Sequence, residues 1–232
     1  VVFPLLSKHS NSGNMGDMEK TLKYGINLVL LITIPSTVGL ISLASPIVGV
    51  VYQRGEFGSL ATVATVQALI YYSLGLAPSA IRLLLNRVFY SLQNTRVPMV
   101  TGAVTVVLNI IFNLILVRYM GHGGLALGTS LATTFGTLLM FYSLRLRLGN
   151  VGVVSYMGIF TKTLLSSLVM GFIANSANHF FVSVVNTPLA LVISIILSAL
   201  IYLTMCYLLN IREIRALIGN VIKKLLEGDD SD

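Results

Sequence analysis

The chain has 232 residues, of which 55% are hydrophobic and only 10% charged, and its mean hydropathy is +0.87. That excludes the soluble globular class, in which about 25% of residues are charged. The net charge of +7 does not indicate nucleic acid as a partner, because the basic residues fall between apolar runs and form no stripe alongside aromatics.

Val1 to Ser7 reads as the tail of an earlier apolar segment stopped by Pro4. It lacks the layout of a signal peptide, so the chain is expected to be a piece of a longer protein. Residues 8–18 are polar and turn-forming, and Asp17 is placed to cap a helix running through Glu19, Lys20 and Lys23. The first span, Ile26 to Val51, is uncharged and exceeds the roughly 20 residues that cross a hydrocarbon core. Pro35 is expected to kink it, and Pro46 to start a separate short turn near the far face.

After a tight loop, Tyr52 to Ser59, a second span runs from Leu60 to Ile81. Pro78 leaves the Leu74 carbonyl without its usual donor, beside Ser73 and Gly75. Arg82 then reaches the membrane interface, and the helix overhangs to Ser91. Val97 to Val117 is the third span, opened by Pro98, and Gly124 to Leu144 the fourth, ending at Arg145 and Arg147. The 49 uncharged residues after Lys162 are too many for one helix. Asn175, Asn178, His179, Asn186 and Pro188 divide them into a fifth span, Thr163 to Val185, and a sixth, Thr187 to Ile211. Arg212 to Glu227 has apolar residues at 3–4 spacing and reads as an amphipathic helix, lying either on the membrane surface or on its own protein.

Lys and Arg are split between alternating sides of these spans by 13 to 2. The positive-inside rule therefore puts both ends in the cytoplasm, together with the segment holding Arg82, Arg87 and Arg96.

Candidate chemistry is sparse. Every acidic residue lies in a loop or tail, which argues against a cation-coupled pump built on intramembrane carboxylates. His9, His122 and His179 are isolated, no serine or cysteine pairs with a base, and Cys206 has no partner or metal-ligand spacing. No enzyme activity, cofactor or metal is expected. Two stripes stand out. Thr101, Thr105, Asn109 and Asn113 give the third span a polar face, and Gly124, Gly128, Ala132 and Gly136 give the fourth a smooth one. In one reading the two helices pack as a hairpin joined by the asparagines. In the other, Asn109 and Asn113 line a hydrophilic pathway with Thr101 and Thr105. Packing carries more weight, since Asn in membrane helices commonly bonds between helices.

Four stretches resemble the MurJ (MviN) lipid II flippase family, within the multidrug/oligosaccharidyl-lipid/polysaccharide exporter superfamily. They are Phe3-Pro-Leu-Leu-Ser7, Tyr52-Gln-Arg-Gly-Glu-Phe57, Phe89 to Pro98 (FYSLQNTRVP), and Gly121 to Ala132 (GHGGLALGTSLA). Their order and spacing match together over residues 1–150. The resemblance implies an all-α, two-lobe, fourteen-helix transporter in the bacterial cell membrane, of which this chain is the C-terminal part with six membrane helices. Residues 1–25 would end a preceding helix, 26–147 form four helices of the second lobe, 148–211 an extra pair, and 212–232 the amphipathic helix and acidic tail. Its implied activity is alternating-access export of an undecaprenyl-linked peptidoglycan precursor, serving cell-wall biogenesis and cell shape. The implied partners are that precursor, membrane lipids and the missing N-terminal half. The cavity arginines of the family lie on absent helices. The extra pair would carry a groove for the polyprenyl tail, and Arg82, Arg87 and Arg96 are candidates for headgroup contacts or a cytoplasmic gate. Competing readings are export of another polyprenyl-linked saccharide or of drugs, and a membrane scaffold with no substrate.

Cysteines introduced at Gly58 and Asn94 are expected to react with impermeant reagents from opposite sides of the membrane. Labelling from one side would sink the six-crossing topology.

Overall fold

The computed structural model describes residues 15–53, 55, 58–148, 153–211 and 213–215, and no strand occurs among them. Its helices are α1 (Met15–Ser42), α2 (Ala44–Tyr52), α3 (Ser59–Leu74), α4 (Leu76–Ser91), α5 (Arg96–Met120), α6 (His122–Leu148), α7 (Val153–Val182) and α8 (Thr187–Leu208). Five of them are long and apolar enough to cross a membrane. The pair α3 and α4, bent by 40° at its break, gives a sixth when taken as one span. The expected segment before Met15 and the amphipathic helix from Arg212 lie outside the described residues, apart from a helical turn at Glu213–Arg215.

The helices pack in a row. α5 lies against α6, α6 against α3 and α4, those against α1, α1 against α7, and α7 against α8, while α2 bridges α3 and α8. The largest core cluster sits at the end of the bundle where α1 begins and α4 ends. Met18, Leu22, Ile26, Leu30 and Ile34 recur every four residues along one face of α1 and meet Leu84, Leu85, Val88 and Phe89 of α4 with Met140 and Leu144 of α6. Burial of this cluster ties the first half of the row together. A second cluster, Leu31, Met170, Tyr202 and Cys206, joins α1 to α7 and α8, so the small, fully buried Cys206 is a packing residue.

Several boundaries differ from the sequence-based expectation, each for a local reason. Asp17 does not cap α1. It lies in the first turn, favourable to the helix dipole, and pairs with Lys20 at 3.2 Å. The first crossing is two helices, broken at Leu43, and Pro46 sits in the first turn of α2, where its missing N–H costs little. In the second crossing the break falls at Gly75, three residues before Pro78. α7 starts ten residues before the expected Thr163, so Lys162 lies within a helix rather than in a loop. At the α4–α5 junction Asn94 Oδ1 accepts the Val97 N–H at 3.3 Å, capping α5. Asn94 is buried, which makes its exposed neighbour Thr95 the better position for a labelling cysteine.

Each helix break frees carbonyls that membrane lipid cannot satisfy, and here side chains from neighbouring helices reach them. Pro35 removes the donor that would bond the Leu31 carbonyl. Tyr202 of α8 donates its hydroxyl to that carbonyl at 2.7 Å. At the α3–α4 break, Ser130 of α6 donates to the Tyr71 carbonyl at 2.7 Å and Thr37 of α1 to the Ser73 carbonyl at 3.1 Å. One turn on, Thr137 reaches the Pro78 carbonyl at 3.0 Å.

Tyr202→Phe is expected to destabilise the bundle by about 1 kcal/mol, since it orphans a buried acceptor. In a Pro35→Ala background the backbone regains the missing N–H for the Leu31 carbonyl, and the same change should cost clearly less. Thermal melts of the four proteins of this cycle measure the difference, and equal costs in both backgrounds would refute the pairing.

Candidate functional site

The polar stripe of α5 and the small-residue stripe of α6 face each other. Along α5, residues 101, 105, 109 and 113 are buried or half-buried, whereas Val106, Val107, Ile110, Ile111, Leu114 and Ile115 on the other side are exposed. The helix is therefore amphipathic in reverse, with its polar face turned inward to protein and its apolar face outward, as suits a lipid surround. Close approach is possible because α6 offers glycines. A Cβ at Gly124 would overlap the backbone of Leu116, one at Gly128 would overlap Asn113 Oδ1, and one at Gly136 would overlap Thr105 Oγ1.

Hydrogen bonds then run directionally across the seam. Asn113 Nδ2 donates to Asn109 Oδ1 at 3.0 Å, and Asn109 Nδ2 donates across to Thr129 Oγ1 of α6 at 3.1 Å. Thr129 passes its proton to the Leu125 carbonyl at 2.9 Å. Asn113 Oδ1 is buried without a hydrogen-bond partner among the described residues and rests over Gly128. Thr101 bonds back to the Val97 carbonyl at 2.8 Å. The sequence pointed to Asn109 and Asn113 but not to their acceptor, Thr129, which has no distinguishing pattern in the fourth span.

Arg82 is tied into the same seam. Its Nη1 donates to Thr105 Oγ1 at 2.7 Å, and Thr105 in turn donates to the Thr101 carbonyl at 2.7 Å. A Cβ at Gly136 would lie 2.6 Å from the same nitrogen, so the guanidinium sits over glycine on α6. At 1.5 Å per residue, Thr105 is about 14 Å along α5 from Arg96, and Arg82 is equally far back from the end of α4. The side chain thus reaches across to α5 at that depth, inside the seam. Arg87 and Arg96 are exposed at that end.

A second feature lies on the opposite side of α1. An apolar groove of about 580 Å³ runs between α1 and α8, with Met170 of α7 at its floor. Leu28, Leu31, Ile32, Pro35, Gly39 and Leu43 form one wall, and Ile195, Ala199 and Leu203 the other. Tyr202 is also in the lining, with its hydroxyl taken up by the Leu31 carbonyl, so the groove keeps an apolar surface.

The family model described as lipid II flippase MurJ matches residues 1–174. The chain belongs to the MurJ family. A probable lipid II flippase MurJ from Rickettsia prowazekii is 27% identical over 218 residues, 91% of this chain and 43% of the relative. The lipid II flippase MurJ of Thermosipho africanus is 35% identical over 145 residues, 61% of this chain and 29% of the relative. A solved structure of lipid II flippase MurJ in an inward closed conformation superposes with a TM-score of 0.74 at 30% identity. It covers 94% of this chain and 43% of that one. The chain thus spans less than half the length of these MurJ relatives, and it is a multi-pass membrane protein.

Gly124→Ala is expected to lower stability by about 1–3 kcal/mol, because the new methyl meets backbone and neither helix can yield without opening the seam. Asn109→Ala should cost less, about 0.6–1.7 kcal/mol, the range for one interhelical bond in a membrane. Thermal melts in detergent would show the order, and the reverse order would refute the packing described here.

Proposed function

We propose that the chain forms part of a transporter that moves undecaprenyl-linked peptidoglycan precursor, lipid II, across the bacterial cell membrane by alternating access. The observation that carries the reading is the apolar groove between α1 and α8. Its lining is hydrocarbon-like along its length, and its volume of about 580 Å³ suits a section of a long isoprenoid chain rather than a compact polar solute. The family's relatives bear the name of this activity. In this reading α1 to α6 (26–147) are four crossings of a second lobe. Helices α7 and α8 (148–211) are an added pair that holds the tail.

The polar face of α5 then divides its work. Asn109, Asn113 and Thr101 serve the joint with α6, while Thr105 holds Arg82 at the margin of the substrate pathway. Arg82 is assigned as a gate residue, and Arg87 and Arg96, at the basic end of the bundle, contact headgroups on the cytoplasmic side. The 13-to-2 distribution of Lys and Arg supports placing that end in the cytoplasm. The other wall of the pathway belongs to helices corresponding to the relatives' first half, so these 232 residues are not expected to flip lipid II by themselves.

Filling the groove tests the reading. Ala199→Trp in a complete flippase should cut lipid II flipping at least tenfold while membrane insertion is unchanged, and Arg82→Gln with Arg87→Gln should also reduce it. Unimpaired flipping with a filled groove would remove the tail from this site. An unaffected double arginine variant would remove the gate.

A further inference from the structure

A second, polar pocket of about 320 Å³ opens where α1, α7 and the turn after α8 meet, at the basic end of the bundle. The turn is built by sequence. Asn210 takes the left-handed conformation (φ 57°), its N–H bonds the Tyr207 carbonyl at 3.1 Å and the Ile211 N–H bonds the Cys206 carbonyl at 3.1 Å. That Schellman closure turns the chain back toward α1. Ile211 is then buried, and Glu213 Oε1 accepts a 2.6 Å hydrogen bond from Asn27 Nδ2 on α1.

Among the described residues, the pocket is lined by two cations and one anion: Lys23 from α1, Lys162 from α7, and Glu213. Lys162 is held in place, since its Nζ donates to the Leu209 carbonyl at 3.0 Å, at the negative end of α8. Asn27 is only 6% exposed, and its amide orientation is set by the bond to Glu213. That leaves Asn27 Oδ1 buried with no donor among the described residues, and a buried acceptor without a donor is costly. The pocket also adjoins the apolar groove. Asn27 and Glu213 line the polar pocket, while their chain neighbours Leu28 and Ile214 line the groove.

We propose that this pocket binds the headgroup of an aminophospholipid, a phosphoethanolamine, with an acyl chain entering the adjoining end of the groove. The lysine ammoniums take the phosphate. The lipid's primary ammonium donates to Glu213 and to Asn27 Oδ1, supplying the absent donor. An anionic headgroup such as phosphoglycerol would satisfy the lysines but set its phosphate near the Glu213 carboxylate and bring no cation for it. A quaternary choline has the charge but no N–H to give Asn27. Sequence alone could not find this pocket, because Asn27 and Glu213 are 186 residues apart.

The test is native mass spectrometry of the purified protein with phosphatidylethanolamine, phosphatidylcholine and phosphatidylglycerol of matched chains. Phosphatidylethanolamine should be retained at least fivefold better than either of the others. Glu213→Gln, which keeps an oxygen for Asn27 but removes the charge, should abolish that preference. Lys23→Gln with Lys162→Gln should weaken both phosphatidylethanolamine and phosphatidylglycerol. The variants' melting temperatures, taken without lipid, separate misfolding from lost binding. Equal retention of the three lipids by the native protein, or a preference unchanged in a folded Glu213→Gln variant, would overturn the proposal. So would soluble phosphoethanolamine binding as tightly as the lipid, which would make the pocket a site for a free zwitterion.

Discussion

A carbonyl freed inside a membrane has no water to turn to, and this bundle is organised around that constraint. Its crossings are broken at Leu43 and Gly75, and Pro35 and Pro78 each remove a backbone donor. Hydroxyls from other helices answer at Leu31, Tyr71, Ser73 and Pro78. The donors come from α8, α6, α1 and α6 again, so the bonds that repair the breaks also fasten the row of helices crosswise. Apolar side chains could not do this in lipid, because burying a leucine against another leucine gains little over burying it against an acyl chain. Close packing at glycine and hydroxyls aimed at specific carbonyls supply the specificity that the hydrophobic effect supplies in water.

Much of this was legible in the sequence, and the limits of legibility follow physical lines. Six crossings could be read off because charge is excluded from hydrocarbon over a length fixed by membrane thickness. The α5–α6 seam was visible because a period of four places Thr101, Thr105, Asn109 and Asn113 on one helical face and Gly124, Gly128 and Gly136 on another. The donor for the Leu31 carbonyl was not visible. Pro35 announces a free carbonyl four residues back, but nothing near it in sequence says that Tyr202 will supply the proton. The exact break at Gly75 was missed for a related reason, since what stabilises a break at that residue is Ser130 and Thr37 on two other helices. Long-range partners of local defects are tertiary information.

The two sides of α1 do different things. One face, from Met18 to Ile34, is committed to α4 and α6 and is packed to near-zero exposure. The other, from Leu28 to Leu43, borders the groove shared with α8. A packed face on one side and an open apolar groove on the other is the arrangement that the proposed tail-holding role would need of α1. Gly39 and Ser36 keep the groove wall low where bulkier residues would fill it.

Arg82 is where the energetics point beyond the helices described. On insertion scales an arginine in a membrane helix costs up to about 2.5–3.5 kcal/mol, the value at the helix centre. One hydrogen bond to Thr105 returns at most about 1.7 kcal/mol, and among the described residues no carboxylate lies alongside to return the rest. The bare glycine surface of α6 beneath it offers room but no acceptor. The remaining guanidinium donors therefore require polar surroundings on the side away from Thr105, either water or an anionic group. Lipid on that side would leave at least about 1 kcal/mol of the cost unmet. The same arithmetic explains the orientation of α5, whose exposed face between Val100 and Val117 is apolar while Arg82 contacts it from behind, through the seam. In the proposed transporter, the margin of the polar pathway would run past Arg82 on the α4 side of that seam, with α5 between it and lipid.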